Sequence, residues 1–386
     1  MNSLTCSILI TFKITVCTAF EISDTCMPVN QPINIHPKRI LVITLRYLGD
    51  TLLVTPLLSS LKRAYPDAKI DVLLPKANIG MLEGNRDVDK LIPMAGKPGV
   101  LSFCKLLSGL FRQYDLSIST QAGDRPILCA ILAGKFSMGF VPESSSKLGW
   151  KRFLLDRSLE FGDSHSHALL ENLRFCTPLG IGPSFALTPP RSDPGSAGQI
   201  PVGKYAVLHV MPQWRYKQWH EQGWIEVGYY LNRKGISIVL TGGTQPAEQE
   251  ALRLLQSKLP PSTRNLAGRL NLPQLTTLIE NAALFIGADT GITHLAAATG
   301  TRVIAIFGPT DPQKWGPWPF GYADGISPFV SRGGQRVNNV YLLQGVVARG
   351  CVPCQLEGCE RNRLSRSECL DNLSAETVVD IIGRCV

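Results

Sequence analysis

The chain has 386 residues, 44% of them hydrophobic and 18% charged, with a formal net charge of +9; that length allows two domains, each with its own core. The positive balance favours anionic partners such as a phosphorylated glycolipid or a membrane surface, whereas no interleaved aromatic and basic motif speaks for nucleic acid. No window offers the roughly 20 uninterrupted apolar residues that a membrane-crossing helix needs.

The first 37 residues hold an apolar run, residues 8–20, which Lys13 divides. A signal peptide wants a positive charge ahead of such a run and a small-residue cleavage site behind it, and neither is present. Residues 1–37 are therefore expected to be a disordered extension or an overcalled translation start. The first convincing strand covers residues 38–45, followed by a helix over 52–64 whose Leu53, Leu57, Leu58 and Leu61 share one stripe.

Next come a strand at 69–74, a helix near 77–83, a strand at 90–93, a helix at 101–113, a strand at 116–119, a helix at 125–132 and a strand at 136–140. Such alternation predicts a parallel, doubly wound sheet. A helix over 164–177 leads out of this first domain, residues 38–183. Residues 184–203, rich in Pro, Gly and Ser, read as a linker.

A second domain, residues 204–386, opens with a strand at 205–210. Helix 221–233, strand 237–240, helix 247–258 and helix 272–281 follow. The unit after them is the most informative: strand 282–286, a polar turn from Gly287 to Gly291, a small-residue helix at 292–298 and strand 302–307. In a βαβ unit such a turn lies at the carboxyl end of the sheet, where free helix amides favour an anion.

Asp289, Thr290 and His294 line that turn's mouth, and three readings compete for them. They are helix-capping and packing residues, half of an aspartic-protease dyad, or a diphosphate-sugar site. The second needs two such carboxylates, and no second Asp-Thr-Gly or Asp-Ser-Gly occurs. No G-x-G-x-x-G follows either domain's first strand, which argues against a nicotinamide or flavin cofactor.

Other candidates fall at other strand ends. Asp50 follows the first strand and is either the N-cap of the next helix or a base for a sugar hydroxyl; Arg46 beside it suits an acidic acceptor group. Lys217 and Arg215 form a solvated basic loop or neutralise a leaving diphosphate. The turn Thr241, Gly242, Gly243 can approach a ligand closely, with Glu248 beyond it for ribose hydroxyls. Cys351, Cys354, Cys359 and Cys369 begin like a zinc site, but the second pair forms no knuckle; a metal there would be structural. The scattered Cys104, Cys129 and Cys176, with three more in the first 37 residues, read as free thiols.

Taken together, Arg46-x-x-Gly49-Asp50, Tyr216-Lys217-x-Trp219, Leu240-Thr241-Gly242-Gly243 and Asp289-Thr290-Gly291-x-x-His294, continuing to Phe307-Gly308-Pro309-Thr310-Asp311-Pro312, resemble the heptosyltransferase family of lipopolysaccharide core biosynthesis. The terminal cysteine pattern is also similar to many of its members. The resemblance implies an α/β GT-B fold, two Rossmann-like doubly wound domains facing across a cleft, with the acceptor on the first and the donor on the second. It implies an inverting transfer of heptose from ADP-heptose, without a metal or other cofactor, to the phosphorylated, lipid-linked inner core of lipopolysaccharide. Asp50 would be the base, Lys217 the group on the donor phosphates, Glu248 the acid on ribose and Leu270 the apolar neighbour of adenine. Asp289 would take sugar hydroxyls or phosphate-side groups, with Thr290, Gly291 and His294 around the diphosphate. The expected place of action is the cytoplasmic face of the inner membrane, as a peripheral protein. Two alternatives stay open: another nucleotide sugar on a cell-surface glycan, and a non-catalytic nucleotide-sugar-binding partner.

Overall fold

The structure is a computed structural model that describes residues 32–142, 149–161, 166–191 and 200–386. Six strands form the first sheet: β1 Arg39–Ile43, β2 Lys69–Pro75, β3 Lys90–Met94, β4 Tyr114–Ser119, β5 Gly134–Val141 and β6 Arg157–Glu160. They lie in the order β3-β2-β1-β4-β5-β6, every pair parallel. β1 reads RILVI with all but its first residue buried. β-branched and leucine side chains without polar alternation suit a central parallel strand covered on both faces.

The second sheet contains β7 Tyr205–His209, β8 Ser237–Leu240, β9 Arg264–Asn265, β10 Leu284–Ala288, β11 Val303–Phe307, β12 Gln335–Val337 and β13 Val340–Gln344. Its order is β12-β13-β11-β10-β7-β8-β9, parallel except for the β12 and β13 pair. Without β12, the path from β9 through β7 to β13 repeats the first sheet's order, that of a dinucleotide-binding fold. The expected pair of Rossmann-like halves is present. In both halves the strand order reverses beside the opening strand, between β1 and β4 and between β7 and β10, and crevices form at such switch points.

Several expected elements differ in detail. The helix expected over 52–64 is two, Leu48–Leu53 and Thr55–Ala64. Pro56 is the cause: its ring would meet the carbonyl of Leu52, which instead accepts the Thr55 hydroxyl at 2.9 Å. The helix expected near 77–83 is a 3-10 turn, Lys76–Met81. The helix expected over 164–177 divides into Ala168–Leu173 and Cys176–Leu179, and its first two residues lie outside the described residues. Residues 1–31 of the expected extension also lie outside them, while Ile33 packs into the first half's core and donates its N–H to Pro178 O at 2.8 Å.

Two features hold the halves in register. Trp318, in the chain after β11, is 1% exposed and sits in the first half's core, against His167 and Phe185. Truncating a buried Trp to Ala typically costs about 3–5 kcal/mol, so this side chain is a principal tie between the halves. His167 strengthens it: Nε2 donates to Gly316 O at 2.8 Å while Nδ1 accepts the Leu169 N–H. Burial holds the His167 pKa down to about 3, so the ring stays neutral and this tautomer persists.

The second feature is a pair of glycines. A Cβ on Gly291 would lie 2.8 Å from the Gly49 nitrogen, closer than real Cβ contacts come. Glycine at this point lets the N-terminus of helix Gly291–Ala298 abut the N-terminus of helix Leu48–Leu53.

Candidate active site

That glycine contact brings the two carboxyl-end turns together. Asp50 and Asp289, one from each half, line a single cavity of about 390 Å³, together with Arg46, Lys217, Thr290, Gly291 and His294. The two carboxylates thus look into one shared crevice.

Asp50 occupies the third residue of helix Leu48–Leu53, not the N-cap of a later helix, because the helix begins one turn earlier than the leucine stripe suggests. Its Oδ2 accepts the Tyr47 N–H at 3.1 Å. This reach back to the start of the helix is the carboxylate half of a capping box, and it fixes the side chain at the cleft. Burial raises the Asp50 pKa; the charge of Arg46, the Tyr47 N–H and the charge of Lys217 oppose the rise. A carboxyl group tuned upward in a cleft is poised to accept a proton.

Lys217 lies in the 3-10 turn Arg215–Lys217 after β7, and its Nζ is 2.7 Å from Asp289 Oδ2. Burial alone would pull the Lys217 pKa down. The charge and hydrogen bond of Asp289 outweigh it and hold the ammonium above its ordinary value. Of the two basic residues expected to face the Asp289 turn, Lys217 meets it, whereas Arg215 does not line the cavity. Thr290 is the N-cap of helix Gly291–Ala298 and accepts from Thr293 N, so the bland capping reading of this residue is also correct.

His294 is buried, and its Nδ1 has no hydrogen-bond partner among the described residues. Burial pushes its pKa down to about 4, with Asp289 opposing and Lys217 reinforcing the drop. At neutral pH the ring is uncharged. The positive charge in this part of the cleft therefore comes from Lys217 and from the helix N-terminus.

The nucleotide-side candidates stand apart. Thr241, Gly242, Gly243, Glu248 and Leu270 do not line this cavity. Thr241 is buried with Oγ1 3.0 Å from His209 Nδ1, so its hydroxyl is already engaged. Glu248 Oε1 accepts the Gly243 N–H at 2.8 Å, closing the turn onto helix Pro246–Gln256. Leu270 packs beside the second half's core.

The wall that the sequence did not reveal comes from the cysteine-rich segment. Gln355, Leu356, Glu357 and Arg363 line the cleft. The Arg363 guanidinium lies 4.4 Å from the Trp214 ring centroid and donates to Glu357 at 3.0 Å. Ser367 Oγ donates to Tyr216 O at 2.6 Å, and Gln355 N to Pro309 O at 2.8 Å. This strap therefore braces the Lys217 loop. Its Cys351, Cys354, Cys359 and Cys369 are free thiols, and among the described residues no three His, Cys, Asp or Glu side chains are grouped to hold a metal. The contact of Arg363 with Trp214 joins residues far apart in the chain, so no local sequence signal marks the strap's role.

The chain is similar to several known proteins. Residues 187–322 match glycosyltransferase family 9 (heptosyltransferase). A lipopolysaccharide heptosyltransferase 3 of Escherichia coli is 31% identical over 295 residues, 71% of this chain and 84% of that protein. Among solved structures, a family 9 glycosyl transferase of Veillonella parvula superposes with a TM-score of 0.71 at 19% identity, covering 90% of this chain and 97% of that one. An E. coli ADP-heptose lipopolysaccharide heptosyltransferase II superposes with a TM-score of 0.70 at 19% identity, covering 90% and 98%.

Proposed function

The chain belongs to glycosyltransferase family 9, the heptosyltransferases, and on that premise we propose that it moves a heptose from ADP-heptose to the inner core of lipopolysaccharide with inversion at the anomeric carbon. The observation that carries this reading is the single cavity lined by Asp50 from one half and by Lys217, Asp289 and a helix N-terminus from the other. Residues 38–183 hold the acceptor and residues 204–386 the donor.

Asp50 takes the proton of an acceptor hydroxyl as its oxygen attacks the anomeric carbon. The bond from that carbon to the β-phosphate oxygen breaks, and ADP leaves with the electron pair. Lys217 and the free amides of helix Gly291–Ala298 face the charge that develops on the diphosphate. In this reading the chain's own positive groups serve the leaving group, and no metal is needed. Thr241, Gly242, Gly243, Glu248 and Leu270 form the nucleoside end, beyond the reaction cavity.

The test is ADP release with truncated lipopolysaccharide as acceptor, with ADP-heptose compared against other nucleotide sugars. Release from ADP-heptose with product mass raised by one heptose is expected. Release from a different donor alone would replace the donor assignment.

An acceptor anchored in lipid asks for contact with the cytoplasmic face of the inner membrane. No helix among the described residues is long and apolar enough to cross a bilayer. Val100, Leu101 and Phe153 are 79%, 88% and 83% exposed, and Lys97 and Lys105, near the first two, carry exposed positive charge. Apolar side chains flanked by lysines suit insertion into an anionic surface. Leu101→Glu should weaken co-sedimentation with phosphatidylglycerol vesicles and leave transfer to a deacylated acceptor intact. Undiminished sedimentation would remove this face from the proposal.

A further inference from the structure

A separate cavity, of about 520 Å³, lies away from the reaction cleft, and no described residue lines both. We propose that it binds a small organic anion, an apolar ring carrying a carboxylate or phosphate group, and that both halves grip this ligand at once, Asn85 and Arg86 from the first and Phe320 from the second. Its walls come from the chain after the 3-10 turn Lys76–Met81, from Pro189 and Arg191 in the segment joining the halves, and from Ala298 and Phe320.

Those walls are set before a ligand arrives. Gly84 meets the joining segment so closely that a Cβ on it would lie 2.4 Å from Arg191 O, and the Arg191 N–H donates to Glu83 O at 2.9 Å. Phe320 is fixed at both backbone groups: its N–H donates to Asn339 Oδ1 and its carbonyl accepts from Asn338 Nδ2, each at 2.9 Å. Its ring is nevertheless 61% exposed. An aromatic ring held out on an anchored backbone loses little freedom when it covers a ligand.

The polar groups select the charge. Asn85 is 6% exposed; its Oδ1 accepts the Asp87 N–H at 2.9 Å, and its Nδ2 has no hydrogen-bond partner. A buried donor left unmade is costly, and an acceptor oxygen on a ligand would satisfy it. Among the described residues the exposed Arg86 forms no hydrogen bond or ion pair. Arg191, by contrast, is paired with Glu280 at 2.5 Å. Asp87, the one acid among the described residues of the lining, accepts the Ser59 hydroxyl. The charge left without a partner is that of Arg86, beside an amide donor and an apolar ring. A free guanidinium matches the paired oxygens of a carboxylate or phosphate, and the volume falls among those of small-molecule sites.

The position links this site to the cleft. Ala298 ends the helix whose first residue, Gly291, lines the reaction cavity. A ligand gripped from both sides binds only when the halves are disposed as they are here, and so favours the arrangement that sets Gly291 against Gly49.

The experiment is calorimetric titration of the full chain, with excess ADP present to fill the reaction cleft. Phenyl phosphate and benzoate are the probes; inorganic phosphate lacks the ring and benzyl alcohol lacks the charge. At least one of the two probes should bind saturably, and both controls roughly 10-fold or more weakly. Arg86→Gln and Phe320→Ala should each weaken the probe by roughly 5- to 20-fold. Both side chains are exposed, so both variants should keep the wild-type melting temperature and the wild-type affinity for ADP. Absence of saturable binding by either probe, or equal affinity of wild type and Arg86→Gln, overturns the site. A loss in Arg86→Gln with none in Phe320→Ala overturns the grip from both halves.

Discussion

Asp50→Asn is expected to lower turnover by roughly 10²–10⁴-fold, the contribution of a positioned general base, while leaving ADP-heptose binding unchanged. Asparagine is the informative replacement. Its Oδ1 can still accept the Tyr47 N–H that the aspartate takes at 3.1 Å, so the helix start survives and only the proton-accepting oxygen is lost. Calorimetry with the donor and ADP release with the acceptor measure the two halves of the claim. Retained turnover would remove Asp50 from the mechanism.

The same carboxyl group sets the pH response. Burial raises its pKa above the ordinary 3.8, against the lowering effects of Arg46, Tyr47 and Lys217. The base works ionised, so kcat/KM should fall as pH drops through that raised value, and Arg46→Ala should move the acidic limb higher still. Stability runs the other way. A carboxyl group whose folded pKa exceeds its unfolded one contributes stability at low pH and loses it as pH rises through the folded value. Asp50→Asn should therefore melt higher than wild type at neutral pH. A variant that loses turnover and gains stability marks a residue retained for chemistry.

How far the residues announced this arrangement depends on the distance over which each contact acts. Helix Glu221–Arg233 and strand Ser237–Leu240 match their expected bounds, because apolar periodicity and a clear break at Gly235 are local signals. Asp289, Thr290 and His294 were legible for the same reason, since one turn and one helical repeat place all three. The start of the helix carrying Asp50 was misplaced, because its cap, Tyr47, lacks the usual Ser, Thr, Asp or Asn. Gly291 gave no sign that its missing side chain serves a contact with Gly49, 242 positions away. β13, wholly buried, and helix Ala375–Cys385, capped by Ser374, carry ordinary local signals yet lie outside the expected elements. The strap's contact with the Lys217 loop is tertiary and leaves no periodic trace.

Lys217 offers the sharpest separation of structure from catalysis. Its ammonium is 2.7 Å from an Asp289 carboxylate whose side chain is 7% exposed. Lys217→Met alone leaves that buried charge without its partner, and removal of one member of a buried pair typically costs about 3–5 kcal/mol. Replacing both, as Lys217→Met with Asp289→Leu, removes the stranded charge and should recover most of the lost stability, as apolar substitutes for buried pairs often do. Transfer should not recover. The leaving diphosphate has lost a positive group in either case, and one such electrostatic donor is worth roughly 10²–10³-fold in turnover. His294 cannot substitute for it at neutral pH, because burial holds its pKa to about 4. Chemical denaturation and single-turnover ADP release on the two single variants and the double variant complete the cycle. If the double variant regains transfer along with stability, Lys217 serves only to neutralise Asp289, and the charge on departing ADP must be met by the amides of helix Gly291–Ala298 alone.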